Sequence, residues 1–423
     1  MCYTQKIKKL ILFSLLILSA QLSAQGVKMS EKDFHKNPII KNIYTADPAP
    51  MVYGDTLYLY TTHDEDKLVN NFYTMLDWRC YSTKDMVNWT DHGKIFSLDD
   101  ISWADDRAWA PQAIERDEGP IFSWYVDGQW DTMFAPDLVE VKDKVTGKKT
   151  YYLYPHSRGW QRVAMVCKGD RPDGPFTPIN LTEDGRRCLP GSLIDFDPSV
   201  FIETITNKKD PDFDKGFRAY VFYGFQHSTA CELDQNTMYS KREGTDLIDP
   251  FIPASSHDGK LLDKAGSEYK ALYKGQNPLD FNFFEASSIR QVGNKYVMVF
   301  SGYSGKEYGL DNTNSALRYA FGDSPLGPWR SGGVLVDSRG VVPNEDGSQL
   351  MTTNAGHNTH GSLQEINGQW YVFYHRPPRG FGFARQPMVA PVKITWDKKK
   401  VADGGIVKIT GYDKDAYSLE GKL

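Results

Sequence analysis

The chain has 423 residues and a formal net charge of −5, with 40% hydrophobic and 24% charged residues. This composition is ordinary for a soluble protein, and its acidic balance argues against nucleic acid or an anionic membrane as a partner. The 24 Tyr, 22 Phe and 10 Trp, together with 36 Gly and 23 Pro, favour many strands and tight turns. We therefore predict an all-β protein.

The first 24 residues have the pattern of a secretory signal peptide. Three lysines precede the apolar run LILFSLLIL, and the small-residue stretch SAQLSAQG follows it. Cleavage after Ala24 leaves residues 25–423 and changes the net charge from −5 to −8, because it removes three lysines and no acid. We expect an exported protein, periplasmic in a Gram-negative source and otherwise secreted. No later stretch is apolar for about 20 residues, so no membrane insertion is expected.

Four cysteines remain after cleavage, namely Cys80, Cys167, Cys188 and Cys231. Export permits disulfides, but four cysteines in a chain of this length are too sparse for a disulfide framework. Free buried thiols are equally consistent with the sequence, so the pairing stays open, as does the oligomeric state.

A similar segment occurs five times along the chain. Each copy has a β-rich stretch, a turn that usually contains Gly, and a second strand such as LYLYT, YYLYP or WYVFYH, which together are a hairpin signature. The copies span residues 46–66, 135–159, 196–228, 285–305 and 359–380.

The segments after the hairpins indicate how the copies assemble. Four hairpins are followed by an amphipathic region that closes on an aromatic turn, as in STKDMVNWTDHG and GDSPLGPWRSG. Two further strands per copy, repeated every roughly 60 to 90 residues, fit four-stranded propeller blades. We predict one five-bladed β-propeller domain over residues 25–423. A β-sandwich or jelly roll is the alternative, but neither predicts five similar hairpins.

Ionisable residues recur near the start of each hairpin, where innermost strands converge on a propeller axis. Crowded carboxylates repel one another, which separates their pKa values and suits acid–base hydrolysis. Inverting glycoside hydrolysis needs two carboxyl groups about 6.5–9.5 Å apart. The alternative to a catalytic role is a structural one, since an Asp-Pro pair also starts strands and turns. The residues are Asp47, Asp137, Asp197, Glu285 and His360.

The motifs ADPAP with YLYTTHDE, FDPSVF, FFEASSIR and THGSLQEINGQWYVFYHR resemble glycoside hydrolase family 43 in this order. The likeness runs across essentially the whole chain after the signal peptide. It implies a five-bladed propeller of inverting glycosidases that act mostly on α-L-arabinofuranosyl and β-D-xylosyl linkages, with some members acting on β-galactans.

The resemblance also implies roles for single residues. Asp47 matches the general base that activates water, Asp197 the third carboxylate that orients the acid, and Glu285 the general acid. His360 matches a histidine at or near a bound metal, often calcium, commonly through water, and a purely hydrogen-bonding His360 is the alternative. No cofactor is implied for the chemistry itself, and Asp137 stays outside the catalytic set.

Three residues are candidates for substrate binding. His63 follows the first hairpin, Phe134 precedes APD where family members often carry an aromatic residue that stacks on the sugar, and Arg376 of YHRPP is placed to reach substrate hydroxyls. For each of them, a role at the pocket rim or in packing is the alternative.

The sequence departs from the family pattern before the second blade. Two segments resemble the start of that blade, and only 25 residues separate Pro111 from Pro136. We assign the second segment to the blade and the first to an insertion rich in Trp103, Trp109, Trp124 and Trp130, which we expect to wall the pocket.

The leading hypothesis is therefore an exported, exo-acting glycosidase that trims arabinose or xylose from plant polysaccharide fragments. A β-galactan-directed enzyme and a sugar-binding propeller without hydrolysis are the alternatives, although three intact carboxylates argue against the latter. A retaining five-bladed hydrolase is disfavoured because the chain has no NDPNG-like opening and no ECP-like motif.

Overall fold

The computed structural model describes residues 37–65, 73, 75–97, 100, 133–157, 164–185, 187–252, 280–305, 309–339, 341–343, 350–352, 358–377, 384–397 and 406–410. The predicted signal peptide and the Trp-rich insertion lie outside these residues. Nearly all regular structure in the described part is β, as predicted. That part includes no helix with the length and hydrophobicity needed to cross a membrane.

Five four-stranded antiparallel sheets form the blades, each with its strands in chain order. Blades 1 and 2 contain β1 (Tyr44–Tyr53), β2 (Thr56–Asp64), β3 (Met75–Thr83) and β4 (Thr90–Ser97), then β5 (Met133–Lys142), β6 (Lys149–Ser157), β7 (Cys167–Gly169) and β8 (Thr177–Pro178). Blade 3 contains β9 (Ser199–Thr204), β10 (Phe217–Tyr223), β11 (Thr229–Leu233) and β12 (Leu247–Ile248).

Blade 4 contains β13 (Phe283–Val292), β14 (Lys295–Ser304), β15 (Thr313–Gly322) and β16 (Trp329–Asp337). A separate pair, β17 (Val341–Pro343) and β18 (Leu350–Thr352), follows it. Blade 5 contains β19 (Gly361–Ile366), β20 (Gln369–Arg376), β21 (Gln386–Asp397) and β22 (Ile406–Thr410). The first two strands of each blade are the five predicted hairpins, and β5 confirms that the second of the two competing segments starts blade 2.

The first strands form a closed ring, with β1 next to β5, β5 next to β9, β9 next to β13, β13 next to β19, and β19 next to β1. The chain therefore is the predicted five-bladed β-propeller. An apolar core fills each of the five interfaces between neighbouring blades. In β14, Met298 packs toward blade 3 whereas Val297 and Val299 pack toward blade 5. Both faces of such a strand are buried, which explains the continuous apolar runs of the repeat.

A bulge at the start of β1 turns a functional side chain out of the regular ladder. The register with β2 shifts between Ala46 and Ala49, and Asp47 lies inside this shift with a φ of 51°. Asp197, just before β9, has a φ of 46°. A left-handed conformation is uncommon for residues other than glycine, and aspartate tolerates it better than most. Bulges of this kind re-aim side chains next to active sites.

The predicted placement of Asp137 at the same repeat position as Asp47 is wrong. The β5 register shifts between Phe134 and Asp137, so Ala135 occupies the place that Asp47 has in blade 1. Asp137 lies beyond the bulge and accepts a hydrogen bond from the Val200 amide. The motifs ADP and APD look alike in sequence, but the position of the aspartate relative to the bulge differs.

Residues before β1 tie blade 5 to the ring. The Asn37 side chain donates to the Val389 carbonyl and accepts from the Val389 amide, and the Ile39 amide donates to Pro387. Gln386 in turn donates from its side chain to the Ile40 carbonyl. Residues 37–40 therefore connect the last blade with the first.

Replacing Asn37 with alanine is expected to lower the free energy of unfolding by about 1–3 kcal/mol, because two buried main-chain groups of Val389 lose their partner. Urea unfolding measures the effect. Lys208→Ala, at an exposed loop position, is the control and should stay within about 0.5 kcal/mol. An equal stability for both variants would contradict the role of this connection.

The four cysteines predicted to be either paired or free are all free thiols within the described residues. Cys80, Cys167 and Cys231 are buried, and Cys188 is partly buried.

Candidate active site

The three predicted catalytic carboxylates meet around one imidazole at the propeller axis. His360 lies just before β19; its Nδ1 is 2.8 Å from Asp47 Oδ1, and its Nε2 is 2.7 Å from Glu285 Oε1. The same Nε2 is 3.6 Å from Asp197 Oδ2. All four side chains are buried. The structure thus brings together residues that are up to 313 positions apart, from 47 to 360.

Asp47 has cationic partners on one side. Arg385, directly before β21, places Nη1 3.2 Å from Asp47 Oδ1 and forms two 2.9 Å hydrogen bonds to the Asp64 carboxylate. Thr62 donates to Asp47 Oδ2 at 2.8 Å. Burial opposes ionisation, but Arg385 and His360 outweigh it and hold the pKa of Asp47 well below its usual range.

Asp197 lies in a less polar environment. Its Oδ1 is 2.7 Å from His156 Nδ1, and the His156 ring packs against the rings of Phe134 and Phe196. Burial raises the pKa of Asp197 to about 7, with His360 opposing and the Asp47 charge adding to the shift. This carboxyl therefore binds a proton at a pH where Asp47 is ionised.

Glu285 accepts hydrogen bonds from Asn358 Nδ2 at 2.7 Å and is held against His360. Asn358 Oδ1 in turn accepts from the Tyr73 hydroxyl at 2.5 Å. Burial and the charge of Asp197 raise the pKa of Glu285, although His360 and Asn358 act in the opposite direction. Glu285 is thus favoured as a proton donor.

The two histidines beside these acids have opposite electrostatic states. Burial opposes protonation of His360, but Asp47 and Asp197 raise its pKa well above the usual value. Burial and Arg385 lower the pKa of His375 well below the usual value. The site therefore holds a charged imidazole between the acids and a neutral imidazole behind Asp47.

Aromatic side chains line the side of the site that blades 2 to 4 form. Phe134 and Phe196 are 6.1 Å apart between ring centroids, Phe196 and Phe225 are 4.9 Å apart, and Phe225 and Phe284 are 5.0 Å apart. Tyr303 continues the row, 5.4 Å from Phe284. Phe196 and Phe284 directly precede Asp197 and Glu285 in the chain. We call these five residues the aromatic wall; it explains why burial dominates the environment of the two acids with raised pKa values.

The predicted substrate-binding residues have different places. Phe134 belongs to the aromatic wall and is partly exposed, which suits its predicted role. His63 contacts Asp77 at 3.2 Å and Glu65 at 3.4 Å, and the structure does not bring it to the carboxylates through any described contact. Arg376 is buried and donates from Nε to the Ser338 carbonyl. Contacts of these three with substrate stay predictions.

Several site residues are missing from the sequence-based prediction: Arg385, Asn358, His375, His156, Thr62 and Tyr73. The sequence does mark Arg385 as a candidate site residue, because a charged residue is unusual in a mostly apolar run such as FGFARQPMVAPV. The two histidines end the apolar second strands of their hairpins, which is a weaker signal. Nothing in the sequence marks Asn358 and Tyr73 as site residues, because neither lies in a repeated motif.

Among the residues that the structure describes, two clusters have the composition of a cation site. Asp197, Glu285 and His360 offer ligand atoms within 4.8 Å of one another, as do His63, Glu65 and Asp77. Both His360 nitrogens face carboxylate oxygens, so this imidazole does not fit as a direct calcium ligand, and Ca²⁺ prefers oxygen donors. In the second cluster, Arg79 donates to Asp77 at 2.8 Å and already supplies the positive charge.

A small cavity of about 40 Å³ lies beside the cluster on the axis. Residues from the first strands of all five blades line it, including Asp47, Asp137, Asp197 and His360. Its size suits about three water molecules. Burial raises the pKa of Asp137 to about 6 against the Val200 hydrogen bond, but Asp137 makes no described contact with the cluster.

The site has buried acids with separated pKa values beside a wall of aromatic rings, which are the groups that acid–base hydrolysis of a sugar-like substrate needs. The sequence profile of Glycosyl hydrolases family 43 matches residues 35–126 and 116–399. The chain belongs to this family, and it is accordingly a glycosidase that hydrolyses O-glycosyl bonds.

Relatives named as xylosidase/arabinosidases match most of the chain. Xylosidase/arabinosidase 43A of Humicola insolens is 26% identical over 88% of this chain and 98% of its own length. A xylosidase/arabinosidase of Bacteroides ovatus is 25% identical over 90% of this chain and 99% of its own.

Solved structures of the family share the fold at lower identity. The Xanthomonas citri family 43 enzyme complexed with xylose has a TM-score of 0.54 and 21% identity, covering 90% of this chain and 95% of its own. A β-xylosidase/α-arabinofuranosidase from a compost microbial metagenome, in complex with xylotriose, has a TM-score of 0.55 and 21% identity, covering 88% and 96%.

Proposed function

We propose that the chain is an exported, inverting, exo-acting glycosidase that releases xylosyl or arabinofuranosyl residues from plant polysaccharides or their oligosaccharides. The observation that carries this proposal is the meeting of three buried carboxyls around the His360 imidazole on the propeller axis. The substrate class is supported by the names of the relatives, which combine xylosidase and arabinosidase activities.

Each carboxyl has a distinct role in the proposed reaction. Asp47, kept ionised by Arg385, accepts a proton from the attacking water. Glu285, kept protonated by burial and by Asp197, donates its proton to the glycosidic oxygen of the leaving group. Asp197 orients the acid and raises its pKa. One displacement at the anomeric carbon inverts its configuration.

The remaining side chains hold these groups in place. His360 stabilises the anionic base Asp47 and contacts the acid Glu285 through its other ring nitrogen. Asn358 fixes the Glu285 carboxyl by a hydrogen bond. The aromatic wall offers ring faces against the apolar side of a pentose, with Phe134 as the proposed stacking residue. His63 and Arg376 remain proposed contacts at the pocket margin.

A substrate panel tests the proposal. Purified residues 25–423 are incubated with nitrophenyl α-L-arabinofuranoside, β-D-xyloside and β-D-galactoside, and with arabinoxylan and xylan oligosaccharides. Release of single xylose or arabinose units is expected. Activity on the galactoside alone would contradict the proposed xylosyl or arabinofuranosyl substrate. Binding of oligosaccharides without any hydrolysis would contradict the enzymatic role.

The pH profile of kcat/KM is expected to fall as pH rises, because Glu285 must keep its proton. The decline follows the coupled titration of Asp197 and Glu285, and the pKa of Asp197 is about 7. Asp47 stays ionised at low pH, so the acidic limb lies well below the usual carboxyl range. Asp197→Asn removes a charge that raises the pKa of Glu285, so it should move the basic limb to lower pH.

Asp137→Asn is the matched control for the pH profile, because it changes a buried axial aspartate that has no described contact with the cluster. Its basic limb should coincide with that of the wild type. An unchanged limb in Asp197→Asn, or a shift to higher pH, would contradict the proposed coupling.

Export and calcium have separate tests. Detection of a mature protein that starts after residue 24 supports export, and retention of the segment contradicts it. The calcium proposal takes the form of a hydrated ion reached from His360 through water, because both ring nitrogens face carboxylates. Metal analysis and the stability of the protein with and without a chelator test it.

A further inference from the structure

Two histidines occupy corresponding places at the ends of second strands. His156 ends the apolar run of β6 in blade 2, and His375 ends that of β20 in blade 5. Both side chains are at most 3% exposed. Their hydrogen bonds reach into the following blade of the ring, where they meet an aspartate that starts a first strand.

Each histidine accepts the main-chain amide of that aspartate at Nδ1, and His156 Nδ1 also lies 2.7 Å from Asp197 Oδ1, which donates to it when the carboxyl is protonated. The Asp47 N–H donates to His375 Nδ1 at 3.0 Å, and the Asp197 N–H donates to His156 Nδ1 at 3.2 Å. The bulge takes the Asp47 amide out of the strand ladder, and a buried amide without a partner is costly. The imidazoles therefore replace a ladder hydrogen bond.

The two aspartates need such a partner because their backbone is strained. Both are left-handed, with φ of 51° and 46°, and both precede proline. A residue other than glycine in this region is disfavoured and persists where its surroundings fix it. This conformation directs the Asp47 and Asp197 side chains toward the axis, so the backbone and the active-site geometry depend on each other.

The tautomer of His375 is set by its other nitrogen. Nε2 lies 2.6 Å from the Asn358 carbonyl, which can only accept a hydrogen bond. The proton is therefore on Nε2, and Nδ1 is free to accept the Asp47 amide. Burial and the neighbouring Arg385 keep this ring neutral.

Blade 3 lacks the histidine and shows a different arrangement. Gly224 takes the corresponding place, where a Cβ would lie 1.9 Å from the His227 carbonyl oxygen. In the next blade, Ala286 rather than Glu285 has the positive φ, of 54°. The histidines therefore accompany the two aspartates that are themselves left-handed.

We propose that His375 and His156 are positioning residues that hold Asp47 and Asp197 in the left-handed conformation by accepting their main-chain amides. The inference rests on the proposed function, in which Asp47 activates water and Asp197 supports the acid. The two histidines then affect different parts of the reaction, although they make the same kind of contact.

Matched variants separate the contact from simple packing. Asparagine places Oδ1 where the histidine has Nδ1 and keeps the acceptor, whereas leucine fills space without one. His375→Leu should lower kcat by about 10- to 100-fold, with KM unchanged, because a small misplacement of a reacting group has effects of this size. His375→Asn should recover most of kcat.

The leaving group distinguishes the two histidines. Water activation is needed for every substrate, so His375→Leu should lower kcat on nitrophenyl glycosides and on oligosaccharides by similar factors. Acid assistance matters most for poor leaving groups, so His156→Leu should lower kcat on oligosaccharides more than on nitrophenyl glycosides. Asparagine variants that are as slow as the leucine variants, or equal leaving-group ratios for both histidines, would overturn the proposal.

Hydrogen–deuterium exchange gives a readout that is independent of activity. Pro48, Pro50 and Pro198 carry no amide hydrogen, so peptides around Asp47 and Asp197 contain few exchanging sites. The aspartate amides should exchange slowly in wild type and in the asparagine variants, and faster in the leucine variants. If leucine at 375 prevents folding, His375→Gln replaces it, since its amide reaches toward Asn358 but offers no acceptor at the δ position.

The outcomes separate this inference from the proposed function. Protected aspartate amides in a wild type that hydrolyses none of the glycosides would overturn the proposed function and, with it, the catalytic consequence of the contact. An active wild type whose His375→Leu variant exchanges fast but keeps full kcat would overturn this inference alone.

Discussion

Replacing Glu285 with glutamine is expected to lower the turnover of xylan or arabinoxylan oligosaccharides by about 10²–10⁴-fold. The side chain keeps its shape and can still meet Asn358, but it can no longer give a proton to the glycosidic oxygen. Nitrophenyl glycosides should lose much less, because their leaving group needs little protonation. Steady-state kinetics on oligosaccharides and on nitrophenyl glycosides measure the two losses of turnover and hence their ratio.

Glu203→Gln is the matched control for this variant. Glu203 undergoes the same chemical change on blade 3, where it accepts hydrogen bonds from the hydroxyls of Tyr220 and Tyr296. Its activity should equal that of the wild type. A Glu285→Gln enzyme with full activity on oligosaccharides would remove Glu285 from the role of general acid.

Replacing Arg385 with methionine is expected to lower the free energy of unfolding by about 3–5 kcal/mol, because removing one partner leaves uncompensated buried carboxylates. Arg385 is 2% exposed and is the cationic partner of both Asp64 and Asp47. The pKa of Asp47 should rise as well, since the positive charge holding it down is lost. The acidic limb of activity should then move to higher pH. Urea unfolding and pH profiles measure the two effects.

The double variant Arg385→Met with Asp64→Asn provides the matched comparison. Removing the Asp64 charge as well should restore part of the lost stability, since only Asp47 then lacks its partner. The acidic limb of activity should stay at the higher pH, because Asp47 is still without Arg385. A double variant less stable than Arg385→Met alone would show that charge compensation is not what Arg385 contributes.

The blades could be predicted from the sequence because the chemistry of their strands is local. The run YVMVFS alternates between two neighbouring cores, and the Asn367-Gly368 turn, with φ of 52° and 81°, matches the two-residue hairpin turn that this pair favours. The register of a bulge could not be predicted in the same way. Asp137 was therefore assigned the place that Ala135 occupies.

The candidate site could be predicted only where a motif marks each carboxylate. Asp47, Asp197 and Glu285 begin similar hairpins, so the repeat itself brings them together. Arg385 and Asn358 come from loops that have no repeat pattern. Their positions follow from the closure of the ring, which brings the end of the chain beside Asp47.

The configuration of the sugar at the moment of release is the measurement that decides between an inverting and a retaining mechanism. Proton NMR during the first minutes of hydrolysis of a nitrophenyl β-D-xyloside, or of the α-L-arabinofuranoside if that is the better substrate, reports which anomer forms before mutarotation. We expect the opposite anomer to that of the substrate, because Asp47 activates water in a single displacement. A first-formed product with retained configuration would contradict the assignment of Asp47 as base and the inverting mechanism with it.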